Sequence, residues 1–243
     1  MIKKRAINYI IKKKEGSLTM NNIENSIKIK MIKKGFTLAE VLITLVIIGI
    51  ISAITVPSLI QSTERNEFIS GLNKAYSVIK NTLYKLSISS GYPMGDYGYL
   101  EEVNFLEEMA KNVNTIKFCE ETDECFEGGN EARKYLKGGS TSINTGKALI
   151  TSDGYLYTYT KLKNASSIYG LSQADKAKTI GRIVVDVNGS RKPNVHGRDT
   201  FFFYIVEGKG IIPAGTYDSS DCTKTSYGRT CAAKVLKEKA MNY

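Results

Sequence analysis

The sequence lacks the residues and motifs on which most catalytic sites depend. A single histidine, His196, stands among 243 residues, so no pair of histidines can bind zinc and most nucleophile and base pairs are missing. The sequence has no Gly-x-Ser-x-Gly turn, no His-Glu-x-x-His helix motif and no phosphate-binding glycine loop. We therefore expect a structural protein rather than an enzyme, and we expect His196 to be an ordinary loop residue.

The sequence also lacks tryptophan, internal repeats and low-complexity linkers. Its fifteen tyrosines are consistent with a face that binds sugar or a partner protein. Tyrosine is also a good strand former, however, so the tyrosines do not by themselves define a binding site.

Charge is nearly absent from one long stretch, residues 36–59, whose only ionisable side chain is Glu40. A helix of these 24 residues, at about 1.5 Å per residue, covers the ~30 Å hydrocarbon core of a bilayer. The alternative, a buried helix of a soluble protein, requires a large core around it. Isoleucine and valine disfavour a helix in water, but in lipid only a helix satisfies its own backbone. The stretch is therefore predicted to be a transmembrane helix.

The positive charge of the chain is concentrated before this stretch. Residues 1–35 contain ten lysines and arginines and two acidic residues, so they carry +8 of the chain's net charge of +10. This one-sided distribution argues against a nucleic-acid-binding face, which the total charge would otherwise suggest. By the positive-inside rule, residues before Phe36 stay in the cytoplasm and those after about Leu59 are exported.

A glycine precedes the apolar stretch, in the segment Lys33-Lys-Gly-Phe-Thr-Leu-Ala-Glu40. A secretory signal instead places its small residues after the apolar segment, which is then removed. The segment resembles the class III signal of type IV pilins and type II secretion pseudopilins, which a prepilin peptidase cuts. The resemblance covers mainly residues 33–86, and it implies cleavage between Gly35 and Phe36 followed by N-methylation of Phe36. Glycine suits such a cut because, without a side chain, it can lie close to a protease backbone.

The leader departs from the family pattern, because 35 residues is long for it. Met1, Met20 and Met31 are alternative start residues, and the mature chain is the same with each. The predicted domains are a basic leader removed by prepilin peptidase (1–35), a transmembrane and polymerisation helix (36–59) and an exported globular α+β pilin-like domain (60–243).

Glu40 is a carboxylate at the edge of a membrane helix, where a charge is costly unless something pairs with it. One interpretation is an interfacial glutamate that reaches toward water. The family resemblance implies another: Glu40 meets the amino group of Phe36 on a neighbouring subunit and sets the axial register of a filament. The implied partners are a prepilin peptidase, other pilins or pseudopilins, an inner-membrane assembly platform and membrane lipid.

Pro57 falls where the predicted span leaves the bilayer. It removes a helix hydrogen bond, so we expect it to bend or locally melt the helix. Beyond it, apolar residues recur at spacings of three and four as far as Leu86, and Ser90 is followed by glycine and proline signals. This pattern predicts one long helix, half in lipid and half packed on a domain.

The remaining sequence changes from helical to strand patterns. The apolar spacing of residues 100–113 predicts a second, shorter helix, and residues 149–159 contain an Asp-Gly turn between strand formers. Two more strands are predicted at 180–187 and 201–206. We therefore predict an α+β, pilin-like fold in which the long N-terminal helix packs on an antiparallel β-sheet.

Four cysteines lie in the exported part, where an oxidising compartment favours disulfides: Cys119, Cys125, Cys222 and Cys231. Four cysteines allow three connectivities, and sequence alone does not choose among them. We favour the two local loops because the members of each pair are close in sequence. Zinc is the competing interpretation, but neither spacing is Cys-x-x-Cys and only one histidine exists.

The loop from Asp186 to Asp199 contains oxygen ligands at spacings that could surround a hard cation such as calcium, with Asp186, Asn188 and Asp199 as candidate ligands. It also resembles the late Asp-x-Asn-Gly segment of many pseudopilins, some of which bind calcium nearby. The competing interpretation is a structural turn, because Asx-Gly pairs are ordinary turn formers and three cationic residues interrupt the ligands. We therefore expect no cofactor or, alternatively, calcium.

A run of six acidic residues precedes this region: Glu120, Glu121, Asp123, Glu124, Glu127 and Glu131. It is consistent with a cation site or a docking surface for a basic partner. A solvated loop tip is the commoner case for such a run.

These observations favour a structural subunit of a type IV filament-family machine. The late Asp-x-Asn-Gly segment favours a type II secretion pseudopilin over a major or minor pilin that serves adhesion, motility or DNA uptake. The alternative from another class is a membrane-tethered, exported binding module that never polymerises. The expected location is the inner (cytoplasmic) membrane, with a single span, a cytoplasmic N-terminus and a periplasmic or cell-surface domain.

Overall fold

The computed structural model of the chain describes residues 35–126, 133–141, 146–162 and 167–243. The described chain falls into two units, with the boundary between Ile54 and Thr55. The first unit contains the start of a long helix, and all of its described residues are exposed. The second unit contains the remainder of that helix, a β-sheet and several short helices.

Helix α1 spans Leu38–Ser90 and is 53 residues long. Its predicted end is confirmed: Gly91 follows with a φ of 73°, a left-handed conformation that favours glycine, and Pro93 lies two residues further on. Pro57 lies inside α1, and helical backbone continues on both sides of it. The prediction that the helix melts locally at Pro57 is therefore wrong. A bend at Pro57 stays a prediction.

The C-terminal half of α1 packs on the sheet within the second unit. The predicted apolar stripe is confirmed, and its buried members are Phe68, Leu72, Ala75, Ile79, Leu83 and Leu86. Tyr76 stacks on Phe203 of the sheet with ring centroids 5.6 Å apart. Helix and sheet approach closely at Gly71, because a Cβ added there would lie 3.0 Å from Val187 Cβ.

Eight strands and four further α-helices follow α1 in the described chain. The helices are α2 (Phe105–Asn112), α3 (Thr122–Cys125), α4 (Gln173–Ala177) and α5 (Cys231–Glu238), and a 3-10 helix spans Gly98–Glu101. The strands are β1 (Thr115–Cys119), β2 (Arg133–Lys134), β3 (Ser140–Thr141), β4 (Ala148–Thr151), β5 (Leu156–Lys161), β6 (Thr179–Asp186), β7 (Thr200–Val206) and β8 (Gly210–Pro213).

The main sheet has six strands in the order β1-β4-β5-β6-β7-β8, and each neighbouring pair is antiparallel. The predicted hairpin is confirmed as β4 and β5, and the two later predicted strands are β6 and β7. The largest core cluster lies between α1, α2, the 3-10 helix, α5 and one face of this sheet. A smaller cluster, which includes Phe202 and Tyr204, covers the other face. The chain therefore has the predicted α+β, pilin-like architecture.

The structure departs from the sequence prediction at residues 100–113, which do not form one helix. A 3-10 helix at Gly98–Glu101 is separated from α2 by Asn104, whose side chain accepts a hydrogen bond of 2.9 Å from the Leu106 N–H. Asn104 therefore caps a new helix in the middle of the apolar stripe. The stripe itself is buried, since Leu100, Leu106 and Met109 are each 0% exposed.

Two disulfides close the local loops. Cys119 at the end of β1 is bonded to Cys125 in α3, with their Cα atoms 5.9 Å apart. Cys222 is bonded to Cys231 at the start of α5, with a Cα separation of 4.9 Å. No cysteine in the described chain is free, so none is present there as a zinc-binding thiolate.

Candidate processing and assembly site

Helix α1 begins with a reciprocal capping arrangement between Thr37 and Glu40. The Glu40 Oε2 atom accepts hydrogen bonds from the Thr37 backbone N–H and from Thr37 Oγ1, each at 2.8 Å. In return, the Glu40 N–H donates to Thr37 Oγ1 at 3.2 Å. These bonds satisfy N–H groups that a helix start otherwise leaves without partners. Thr37 therefore fixes both the start of the helix and the position of the Glu40 carboxylate.

The two residues at the predicted cut lie before this cap and outside the helix. Phe36 is 87% exposed, and a Cβ added to Gly35 would meet nothing within 4 Å. The Gly35–Phe36 bond is therefore accessible, and Phe36 lies directly before the capping pair.

The apolar side chains of α1 remain uncovered from the first unit into the start of the second. An 18-residue window of α1 has a mean hydropathy of 2.5, and none of that window is buried. The exposed large side chains include Ile43, Leu45, Val46, Ile47, Ile48, Ile50, Ile51, Ile54, Leu59 and Ile60. By length and composition this helix can cross a membrane.

The candidate calcium ligands lie together in the second unit. Both of their carboxylates already accept hydrogen bonds, whereas Asn188 Oδ1 is buried without a hydrogen-bond partner among the described residues. The Asp199 carboxylate accepts the Asn194 and Val195 N–H groups, each at 2.6 Å. The Asp186 carboxylate accepts the Asn188 N–H at 3.3 Å and the Thr200 hydroxyl at 3.0 Å. Within the described ranges, no three His, Cys, Asp or Glu side chains form a group that could hold a metal ion.

A buried arginine that sequence reasoning missed lies beside these carboxylates. Arg133 is 0% exposed, and its guanidinium carbon lies 4.3 Å from the centre of the Phe126 ring. The next residue, Lys134, donates its N–H to the Asn194 carbonyl at 2.9 Å, which ties β2 to the Asp186–Asp199 loop. The guanidinium nitrogens have no hydrogen-bond partner among the described residues. No sequence pattern pointed to this burial, because arginine is mostly exposed in proteins.

Burial has the largest effect on the pKa values of Asp186 and Asp199. Burial raises the pKa of Asp186 well above its usual range, the Asp199 charge raises it further, and the charge of Arg133 opposes both effects. Burial also raises the pKa of Asp199 to about 6, although the two backbone N–H bonds oppose that rise. Burial therefore favours the protonated forms of these two carboxyl groups, and the positive charge of Arg133 opposes that effect at Asp186.

The remaining predicted residues are not gathered into one site. His196 is 3% exposed, and its ring packs edge-on against Tyr135 and Phe202. Burial is the main cause that lowers the pKa of His196 to about 3, so the ring is neutral. In the acidic run, Glu120 pairs with Lys147 at 2.9 Å. Glu127 and Glu131 of that run lie outside the described residues.

Comparison with known proteins agrees with the geometry of the helix start. Residues 30–56 match the family described as the prokaryotic N-terminal methylation motif. No curated protein and no solved structure matches the chain. The chain therefore carries a type IV pilin-like prepilin signal, joined to an α+β, pilin-like architecture.

The signal supports a type IV pilin-like or pseudopilin subunit, which is a structural rather than a catalytic role. It implies processing by a prepilin peptidase and assembly with other pilins. Together with the one apolar helix near the N-terminus, it indicates a membrane-anchored, single-pass protein.

Proposed function

We propose that the mature chain is a pseudopilin, a structural subunit that polymerises through α1 in a type II secretion machine. The observation that carries this proposal is the capped, exposed and apolar start of α1 directly behind a prepilin signal. A long apolar face in water is unstable, so it requires either lipid or other copies of the same helix. Before assembly the helix lies in the bilayer, and during assembly it moves into a filament core.

Cleavage creates the second group that assembly requires. When the bond after Gly35 is cut, the amine of Phe36 becomes a positive charge next to the capping pair. Inside an apolar filament, a lone Glu40 carboxylate and a lone amine are each costly, but together they neutralise each other. Because one charge comes from each subunit, the pair also sets the axial register.

The proposed machinery and location follow from the same features. The basic leader stays cytoplasmic, the second unit is exported, and the subunit waits in the inner membrane until an assembly platform extracts it. The late Asp-x-Asn-Gly segment supports a secretion pseudopilin over a major or minor pilin. A tethered binding module that does not polymerise is the competing function, and it predicts that Gly35 and Glu40 are dispensable.

We also propose that Arg133, rather than calcium, neutralises Asp186 and Asp199. Two observations support this: the carboxylates are already bonded inside the loop, and a buried guanidinium lies in the segment tied to that loop. Calcium should then leave the melting temperature of the exported domain unchanged, whereas Arg133→Met should lower it. A calcium-induced rise in the wild-type melting temperature would show that the loop is a metal site.

The polymerisation proposal is tested by Glu40→Ala in cells that contain the peptidase and the platform. The variant should be cleaved and inserted into the membrane but absent from filaments, as measured by immunoblotting of sheared filament fractions. Glu67→Ala is the matched control, because it removes an exposed carboxylate from the same helix within the second unit. Normal incorporation of the Glu40 variant would overturn the proposal.

A further inference from the structure

A cationic cavity opens in the second unit, where the exposed apolar stretch of α1 that ends at Ile60 is followed by Gln61. It has a volume of about 240 Å³, and its lining includes Gln61, Arg65, Arg198, Lys224, Met241 and Tyr243. Among the described residues that line it, three are cationic and none is acidic. Such a cavity is smaller than those that hold drug-sized ligands, so it suits a small anionic group.

The three cations reach the cavity from different parts of the chain. Arg65 lies on α1, Arg198 lies in the loop before β7, and Lys224 lies in the loop closed by the Cys222–Cys231 disulfide. The Arg198 loop packs tightly on the disulfide that closes the Lys224 loop, because a Cβ added to Gly197 would lie 2.6 Å from Cys231 Sγ. Arg198 also pairs with Glu64, which precedes Arg65 on α1. The three parts of the chain are therefore connected by direct contacts.

Ion pairs with acidic side chains of the chain neutralise little of the positive charge at the cavity. Arg198 Nη2 lies 3.3 Å from Glu64 Oε2, in a partly exposed pair of the kind that contributes little. Within the part of the chain that the structure describes, neither Arg65 nor Lys224 forms an ion pair with an acidic side chain.

Tyr243 links the cavity wall to the same cations. Its hydroxyl donates a hydrogen bond to the Gly197 carbonyl. Burial raises the pKa of Tyr243, the positive charges of Arg198 and Arg65 partly oppose that rise, and the charge of Glu238 adds to it. The positive charges of both guanidinium groups therefore act on the Tyr243 hydroxyl in the cavity wall.

The membrane span proposed above would place the cavity at the depth of the lipid headgroups. Leu59 and Ile60 are 68% and 53% exposed, and the next residue, Gln61, already lines the cavity. Arg65 follows Ile60 by about 7.5 Å of helix rise. Each headgroup layer of a bilayer is roughly 5–8 Å thick.

We propose that this cavity binds the phosphate headgroup of an anionic phospholipid in the outer face of the membrane that holds α1. Arginine suits phosphate because its planar fork donates two hydrogen bonds, and lysine adds a point charge. Bound lipid would fix the second unit on the membrane surface before assembly, and extraction into a filament would release it.

The experiment uses the mature full-length chain in nanodiscs of phosphatidylglycerol and phosphatidylcholine in equal amounts. Lipids retained on the released protein are counted by native mass spectrometry. The wild type should retain phosphatidylglycerol preferentially, and Arg65→Gln with Lys224→Gln should reduce that preference about 25-fold, at about fivefold per cation. Both side chains are exposed, and the melting temperature of the variant checks that it is folded.

A matched control removes two cations elsewhere, by Lys85→Gln with Lys178→Gln. Lys85 lies about 30 Å further along α1 than Arg65. This control should keep the lipid preference. Equal losses in the cavity variant and the Lys85 control would overturn the proposal, as would no loss in either.

A second arm separates lipid from free phosphate. Excess inorganic phosphate should displace no more phosphatidylglycerol than sodium chloride of the same ionic strength; greater displacement would assign the cavity to free phosphate and overturn the lipid proposal. A chain that inserts into nanodiscs without lipid preference would contradict this inference alone. Failure to insert would contradict the membrane anchor as well.

Discussion

The two units of the chain differ in how far they expose similar apolar side chains. Phe36 in the first unit is 87% exposed, whereas Phe203 in the second unit is 0% exposed and stacks on Tyr76. The second unit has a buried apolar core formed by its own residues, whereas every described residue of the first unit is exposed. The apolar side chains of the first unit therefore need lipid or other protein to cover them, whereas the core of the second unit is covered by its own residues.

The sharpest contrast is expected between two phenylalanine truncations. Phe203→Ala should lower the free energy of unfolding of the exported domain by about 3–5 kcal/mol, because it removes a buried ring from the helix–sheet contact. Phe36→Ala should leave that free energy unchanged. Urea denaturation of the two variants measures both effects, and equal losses would show that the units do not differ in this way.

Aspartate substitutions at two exposed isoleucines, one in each unit, test whether lipid or water surrounds each position. Ile47 is 50% exposed and Ile88 is 62% exposed, so water alone would tolerate aspartate at either position. If α1 spans a bilayer, Ile47→Asp near the middle of the span should cost about 2.5–3.5 kcal/mol of insertion free energy. Ile88→Asp should cost nothing. Membrane fractionation compares them, and normal insertion of the Ile47 variant would argue for an aqueous environment.

The packed unit should respond to pH through its single histidine. The folded pKa of His196 is depressed to about 3, below the unfolded value near 6.5, so only the unfolded chain gains a proton as the pH falls between these values. The stability that the neutral His196 contributes to the free energy of unfolding is therefore fully present above pH 6.5. It is lost as the pH falls below that value. From pH 7 to pH 5 the loss is ~2 kcal/mol.

His196→Gln removes that titration. The stability advantage of the wild type over this variant should shrink by the same amount between pH 7 and pH 5, as measured by denaturation at each pH. Because the difference is taken at each pH, the opposing titration of Asp186 and Asp199 cancels. A constant difference would mean that the histidine is not buried as described.

The smallest expected effect lies at the start of α1. Thr37→Ala removes a capping residue, which should destabilise the first turn by about 1 kcal/mol and speed hydrogen exchange at the Glu40 amide about fivefold in detergent micelles. Thr37→Ser keeps the hydroxyl and should restore slow exchange. The second unit should be unaffected by either change, and altered exchange there would mean that the cap acts beyond the helix start.

Sequence periodicity predicted the parts of the fold that strong local patterns define. The span, the apolar stripe to Leu86, the Asp-Gly hairpin and the strands β6 and β7 all have such patterns. The capping pair also had a sequence signal, since Thr37 and Glu40 have the spacing of a capping box. Residues 100–113 were mistaken for one helix because Asn104 interrupts the stripe without breaking its apolar spacing.

The tertiary sites had no comparable local signal. Arg133 lies in a two-residue strand that is tied to the Asp186–Asp199 loop, and its guanidinium packs on Phe126. The cationic cavity joins Arg65, Arg198 and Lys224, which are separated by 26 or more positions in the sequence. Long-range packing creates both features, so neither spacing nor composition pointed to them.

The most direct test of the account is the mass of the polypeptide isolated from cells that contain a prepilin peptidase. The account predicts a chain that begins at Phe36 and carries one added methyl group on its amine. A chain that retains the basic residues before Phe36 would contradict it, because no amine would then be available to meet Glu40 of a neighbouring subunit.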